Sequence, residues 1–297
     1  MPGAMEGREK AMSDSALDDL RQPQNEKRKS SFMKRLLSGA ALLLLAFLFI
    51  PLGGLPLFLL TLALSLLGLF ELYRAFSLER TALGGLGCLA LLLSYLLLYL
   101  GREELLPMLL ILSLMAMLSL YVLSYPKYHI DSVSECFFGL VYAGLMMSYL
   151  YRTRMLPDGK ILSWLILLSS WGTDTFAYCA GMLFGRTKMT PVLSPKKTVE
   201  GAIGGVIGAS ALGFFYALLF RRYFTAVERP EIISAVSSAA ASLISMAGDL
   251  AASGIKRDRG IKDYGRLIPG HGGILDRFDS MLFTAPTVYY ALRFLSF

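Results

Sequence analysis

Apolar residues in this chain fall into recurrent runs of about 17 to 24, the length a helix needs to cross ~30 Å of hydrocarbon, with short polar breaks between them. Strands that span a membrane would alternate apolar and polar residues, and these runs do not. Hydrophobic residues make up 55% of the chain, charged residues only 17%, and the mean hydropathy is +0.56, which excludes an ordinary soluble domain. The fold class this implies is all-α, in a polytopic integral membrane protein.

Nine helices are expected, at about 36–51, 53–73, 82–100, 104–124, 132–151, 160–183, 199–220, 231–252 and 279–296. With the N-terminus inside, most of the 29 Lys and Arg residues fall in the N-terminal extension and the loops of one face, which the positive-inside rule makes the cytoplasmic face. The C-terminus is then outside. Residues 1–32 are polar and lack an apolar face, which reads as a disordered cytoplasmic extension or a leader. No small-residue cleavage site follows the first apolar run, so a signal peptide is not expected. Cys88, Cys136 and Cys179 lack metal-ligand spacing and read as small hydrophobes. His129 and His271 are the only histidines, which rules out a multi-histidine metal cage.

Up to about residue 159 the runs are dominated by Leu, Ala, Phe and Met, and residues 33–159 read as a lipid-facing transmembrane scaffold. From about 160 onward Ser, Thr, Gly, Asp and Lys intrude into the spans. Polar groups in hydrocarbon are costly unless satisfied, so 160–297 reads as the catalytic region, built around a protein interior or a wet cavity. Its first polar feature is Trp171-Gly-Thr-Asp174-Thr-Phe-Ala-Tyr178, deep in the sixth run. Asp174 there is a cation or network ligand, or else a protonated acid bonded to a neighbouring helix. Tyr178, four residues on, would share its face.

The second feature is Gly185-Arg-Thr-Lys188 with Ser194-Pro-Lys196-Lys197-Thr198-Val-Glu200-Gly201. Ser-Pro favours an extended approach, Thr198 can cap the seventh helix and Glu200 suits its positive end. Free amides at that helix start, with Lys196 and Lys197 alongside, would cradle phosphate. The alternative is an anchor for anionic headgroups. Gly201, Gly205 and Gly204, Gly208 form small-xxx-small pairs suited to tight helix packing.

The third runs from Gly248-Asp249 through Ser253, Lys256 and Arg257 into a long loop that ends Pro269-Gly-His271-Gly-Gly-Ile-Leu-Asp276-Arg-Phe-Asp279. Connectors between membrane helices need only a few turn residues, so one this long, with six cations, carboxylates and fixed turns, suggests a folded site. Asp249, Ser253, Lys256 and Arg257 share one helical face if the eighth helix continues beyond the membrane. Oxygen ligands from Asp249, Asp276 and Asp279 suit a hard cation such as Mg²⁺.

The stretch Ser253-x-Ile-Lys-Arg-x₄-Lys262-Asp263-x-Gly265-x₂-Ile268-Pro269-x-His271-Gly-Gly-Ile-x-Asp276-Arg-Phe-Asp279 resembles the signature of the phosphatidate cytidylyltransferase family, also called CDP-diacylglycerol synthases. Ser194-Pro-Lys-Lys-Thr-x-Glu-Gly and Asp174-Thr-x-Ala-Tyr resemble its preceding motifs, with Phe176 a departure where a small residue is expected. The resemblance covers about 160–296.

It implies transfer of the cytidylyl group of CTP to phosphatidate, giving CDP-diacylglycerol and pyrophosphate in phospholipid synthesis, with Mg²⁺ as cofactor and a monovalent cation as a second occupant. Carried over, Asp249, Asp276, Lys256 and Arg257 are catalytic. Asp249, Asp276 and Asp279, with Asp174, hold metal. Lys188, Ser194, Lys196, Lys197, Thr198, Ser253, Lys262 and His271 bind substrate. The partners implied are CTP, phosphatidate and the bilayer of the cell membrane, with no nucleic acid. A homodimer is what the family suggests, and the glycine-rich seventh helix is its candidate face. Two rivals stand beside this reading: a CTP-dependent lipid alcohol kinase, and a cation transporter built on Asp174 and Asp249. No inverted repeat supports the transporter.

Overall fold

The computed structural model describes residues 37–268, 270 and 272–296. The polar extension 1–32 and His271, with the expectations attached to them, lie outside the described residues. Nine principal helices follow in order among the described residues: α1 (Leu37–Leu52), α2 (Gly54–Ala75), α3 (Ala82–Tyr99), α4 (Leu106–Leu123), α5 (Ile130–Arg154), α6 (Trp164–Phe184), α7 (Val199–Leu219), α8 (Pro230–Asp258) and α9 (Leu275–Ser296). Each falls on one of the apolar runs, with its ends moved by a few residues. Six of them, α2 to α5, α7 and α8, are long and apolar enough to cross a membrane. The polytopic all-α class stands, with six helices meeting that measure instead of the nine expected.

Between α6 and α7 lies a small antiparallel hairpin of β1 (Lys188–Thr190) and β2 (Ser194–Thr198), with Lys188 opposite Thr198 and Thr190 opposite Ser194. Pro195 excludes helix for the residue before it, so the Ser194–Thr198 segment is extended, as its sequence suggests. The Thr198 hydroxyl then accepts the Gly201 N–H at 3.1 Å and starts α7.

The first half packs α2, α3 and α5 around an aromatic core. Phe58 sets its ring edge-on against Tyr95 and Tyr151. Buried hydroxyls are satisfied there: Tyr73 donates to the Cys136 carbonyl at 2.8 Å, and Ser65 donates to the Gly144 carbonyl at 2.9 Å. By contrast α4 is mostly exposed, as a lipid-facing helix should be.

In the second half α6, α7, α8 and α9 pack in sequence, each against the next, and α9 returns against α5 to join the halves. Lipid tails are as apolar as leucine, so helices in a bilayer associate through close packing more than through burial. The glycines of α7 provide that closeness. A Cβ at Gly201 or Gly205 would press on the α6 backbone, and one at Gly208 would run into the Phe176 ring. Gly208 thus makes room for the one motif position at which a small residue is expected. The glycine stripe is therefore occupied within the chain and does not supply the homodimer face nominated from the sequence. With 29 residues α8 is about 44 Å long, which exceeds the ~30 Å of hydrocarbon. Its last turns, with Ser253, Lys256 and Arg257, are helical beyond the apolar stretch.

Candidate active site

Asp276, in the first turn of α9, has a side chain only 2% exposed. Its Oδ1 accepts from Lys256 Nζ at 2.9 Å, and its Oδ2 accepts the Tyr264 and Gly273 N–H groups at 2.8 and 2.9 Å. One carboxylate thereby ties the end of α8, the middle of the long loop and the start of α9 together. The position suits it, because a negative charge near a helix N-terminus is favoured. Tyr264 closes the assembly: its hydroxyl donates to the Ala252 carbonyl at 3.0 Å, and Lys256 lies 5.4 Å from its ring centroid. Burial pushes the Tyr264 phenol above its usual range, which keeps it a neutral donor.

The glycines of the loop are required by close approach. Gly272 has φ 86°, a left-handed conformation, and a Cβ there would lie 2.8 Å from Asp276 Oδ2. Ile268 N–H donates to the Gly272 carbonyl at 2.9 Å and closes the turn.

Asp249, on α8, forms an ion pair with Lys197 of β2. Asp174, Asp249 and Asp279 lie within electrostatic reach of one another, with Lys197 and Arg277 near Asp174 and Lys256 near Asp279. In the middle of α6, Asp174 is about 15 Å from either helix end. Two cavities meet at it. The larger, about 530 Å³, is walled by Ala46, Leu60, Leu64 and Leu167 and ends at Asp174, Asp276 and Asp279. The smaller, about 320 Å³, is lined by Asp174, Tyr178, Lys196, Lys197 and Thr198. Asp174 and Tyr178 do share a face.

Among the described residues no three His, Cys, Asp or Glu side chains form a ready-made cation cage. The oxygen-only cluster of Asp174, Asp249 and Asp279 still fits a hard divalent ion, since Mg²⁺ keeps water and takes one or two carboxylates plus substrate phosphates. Asp276 differs from the expectation: its oxygens are engaged by Lys256 and two loop amides, so it organises the loop in this arrangement instead of facing a cation with free oxygens. The α7 cradle differs too. Thr198 and the Gly201 amide satisfy each other, and Glu200 takes the Arg186 and Thr187 N–H groups at 3.1 Å each. Lysines, not helix amides, are what β2 presents to the smaller cavity.

The remaining nominated residues are spread around this centre. Ser253 is half-buried on α8, and Ser194 is half-buried on β2. Lys188 and Arg257 are exposed. Lys262 lines a separate cavity with Arg74, Asp263 and Arg266.

Glu71 on α2 was missed. It is buried, and its carboxylate accepts the Ile274 and Leu275 N–H groups at 3.1 and 2.9 Å. A lone carboxylate inside an apolar run was the available signal, because such a group is functional by default. The first half is thus more than lipid-facing scaffold, since α1, α2 and α5 also wall the larger cavity.

Fold and site together define a polytopic helical membrane protein with a carboxylate- and lysine-lined centre where an apolar and a polar cavity meet. A model of the cytidylyltransferase family matches residues 33–295. The phosphatidate cytidylyltransferase of Bacillus subtilis is 32% identical over 269 residues, covering 89% of this chain and 98% of its own length. That of Staphylococcus saprophyticus is 41% identical over 165 residues, 56% of this chain and 61% of the relative. That of Synechocystis is 37% identical over 198 residues, 57% of this chain and 66% of the relative. Against these last two the matched stretch therefore spans less than two thirds of the relative. The chain belongs to the cytidylyltransferase family.

Proposed function

We propose that the chain transfers the cytidylyl group of CTP to phosphatidate in the cell membrane. The junction of two unlike cavities at Asp174 carries this reading. An apolar cavity ending in polar groups suits a lipid whose chains lie in the bilayer while its phosphate reaches the centre. A small cavity with two lysines suits the polyphosphate of a nucleotide.

In the reaction a phosphatidate phosphate oxygen attacks the α-phosphorus of CTP in line. The α–β phosphoanhydride bond breaks and pyrophosphate leaves. The attacking oxygen is already ionised at neutral pH, so no general base is required. What the protein must supply is positioning and charge. Lys196 and Lys197 hold phosphate oxygens, and Lys256, fixed by Asp276, presents positive charge beside Asp279. Asp249 and Asp279, with Asp174, would hold Mg²⁺, which when bound neutralises the charge developing on the phosphates. Lys197 passes from Asp249 to substrate as that ion is taken up. The loops carrying these cations face the cytoplasm in this reading, and they raise the local concentration of two anionic substrates.

The test uses protein in detergent with phosphatidate, Mg²⁺ and CTP labelled separately at the α and γ phosphorus. Label from the α position entering lipid, with pyrophosphate released, is the expected result. Label from the γ position would make the protein a lipid kinase and overturn the reading.

A further inference from the structure

We infer that Glu71 on α2, together with Arg74, is a positioning residue that aims the start of α9 at the reaction centre. The proposal rests on the cytidylyl-transfer reading, because it assigns these two residues a role in that reaction.

The Gly273, Ile274 and Leu275 N–H groups open α9 and point the same way, as the first amides of any helix must. All three end on carboxylates: Gly273 on Asp276, Ile274 and Leu275 on Glu71. Ile274, which precedes the helix, has no side-chain acceptor to cap it. Glu71 supplies the missing cap from another helix, about 200 residues away in sequence. Three residues along α2 and on the same face, Arg74 donates to the Tyr264 carbonyl at 2.7 Å. Tyr264 is the residue whose N–H goes to Asp276. The two α2 side chains therefore grip the loop on both sides of the bonds that Asp276 makes. Gly265 and Gly273 are the complement of this grip, since a Cβ at either would collide with the Glu71 carboxylate.

The same helix also sets a distance. Leu57 and Leu64 on α2 wall the larger cavity, and Glu71 is seven residues beyond Leu64, two turns on along the same side. A rigid helix with the cavity wall at one end and the α9 cap at the other holds Asp276 and Asp279 in register with whatever occupies that cavity. Its carboxylate touches neither substrate nor reacting atoms in this arrangement, so its role is to position.

The experiment compares Glu71→Gln, which keeps size but offers the amides one acceptor, with Glu71→Asp and with Glu103→Gln. The last removes a carboxylate from the ion pair with Arg152, on other helices. Amide hydrogen exchange and steady-state kinetics are measured on each full-length protein. In Glu71→Gln we expect exchange of the 260–276 segment to rise about tenfold with the rest unchanged. Its kcat should fall about 10- to 100-fold while KM for CTP stays within about threefold. Glu71→Asp should recover part of kcat, and Glu103→Gln should match the parent.

Parent-like exchange in the 260–276 segment would overturn the proposal. So would faster exchange across the whole chain, or loop opening without loss of kcat. Should the parent protein transfer no cytidylyl group, the activity reading fails by itself and the proposal fails with it as catalytic positioning. The exchange data would still tell whether Glu71 orders the loop.

Discussion

Lys256 near the end of α8 and Asp276 in the first turn of α9 are joined at 2.9 Å, and the carboxylate is almost closed to solvent. This contact brackets the long loop and sets its two ends against each other. Two backbone N–H groups share the same carboxylate, so the pair also decides the path of the loop between them.

Replacing Asp276 by Asn removes the charge and leaves one amide oxygen for three donors. Transfer should be lost, and the loop should loosen by about 1.5–3 kcal/mol, the range for hydrogen bonds to a charged group. Activity and exchange of the Tyr264 and Gly273 amides check it. Normal turnover in a folded Asp276→Asn protein would remove this residue from the reaction.

Much of this was legible beforehand, for physical reasons. Helix positions follow from run length, because hydrocarbon thickness allows few alternatives. The Thr198 cap and the extended Ser194-Pro segment are local, fixed by residues a few positions apart, and both appear as read. Asp174 and Tyr178 share a cavity because four residues make one helical turn. What could not be read is contact between distant segments. Glu71 looks like one acid in a leucine-rich run until α9 is placed against it, and Asp276 looks like a free ligand until its three donors are seen. Neither partner is encoded by spacing. The larger cavity was hidden for the same reason, since residues of α1, α2, α6 and α9 wall it together.

Lys197 and Asp249 make a second prediction. Lys197→Ala should raise KM for CTP by about tenfold or more, the effect of losing a charged contact to phosphate. Lys197→Arg should restore most of the affinity, because charge rather than shape is needed there. Kinetics unchanged in Lys197→Ala would assign the lysines to anchoring at the headgroups.

Phe176 and Gly208 are complementary across the α6–α7 seam. Gly208→Val should destabilise the protein by about 1–3 kcal/mol through overpacking. Adding Phe176→Ala should recover most of the loss, since it frees the space the valine needs. Thermal unfolding in detergent measures both. Additive losses in the double variant would mean that the two positions do not constrain each other.

The apolar cavity gives the last prediction, because its walls reach the centre from the lipid side. Ala46 of α1 lines it, whereas Leu44, two residues earlier, is 68% exposed on the outer surface. A tryptophan at Ala46 should obstruct the chains of a lipid without touching the lysines of the smaller cavity. KM for long-chain phosphatidate should then rise about tenfold or more, a steric effect of the size hydrophobic pockets show, with KM for CTP unchanged. Leu44→Trp should behave as the parent, and a short-chain phosphatidate should recover much of the rate in Ala46→Trp. If instead both variants lose CTP and lipid handling together, α1 affects the fold and not the lipid path. If neither changes anything, the lipid reaches Asp279 from another side, and the cavity under α1 is not its route.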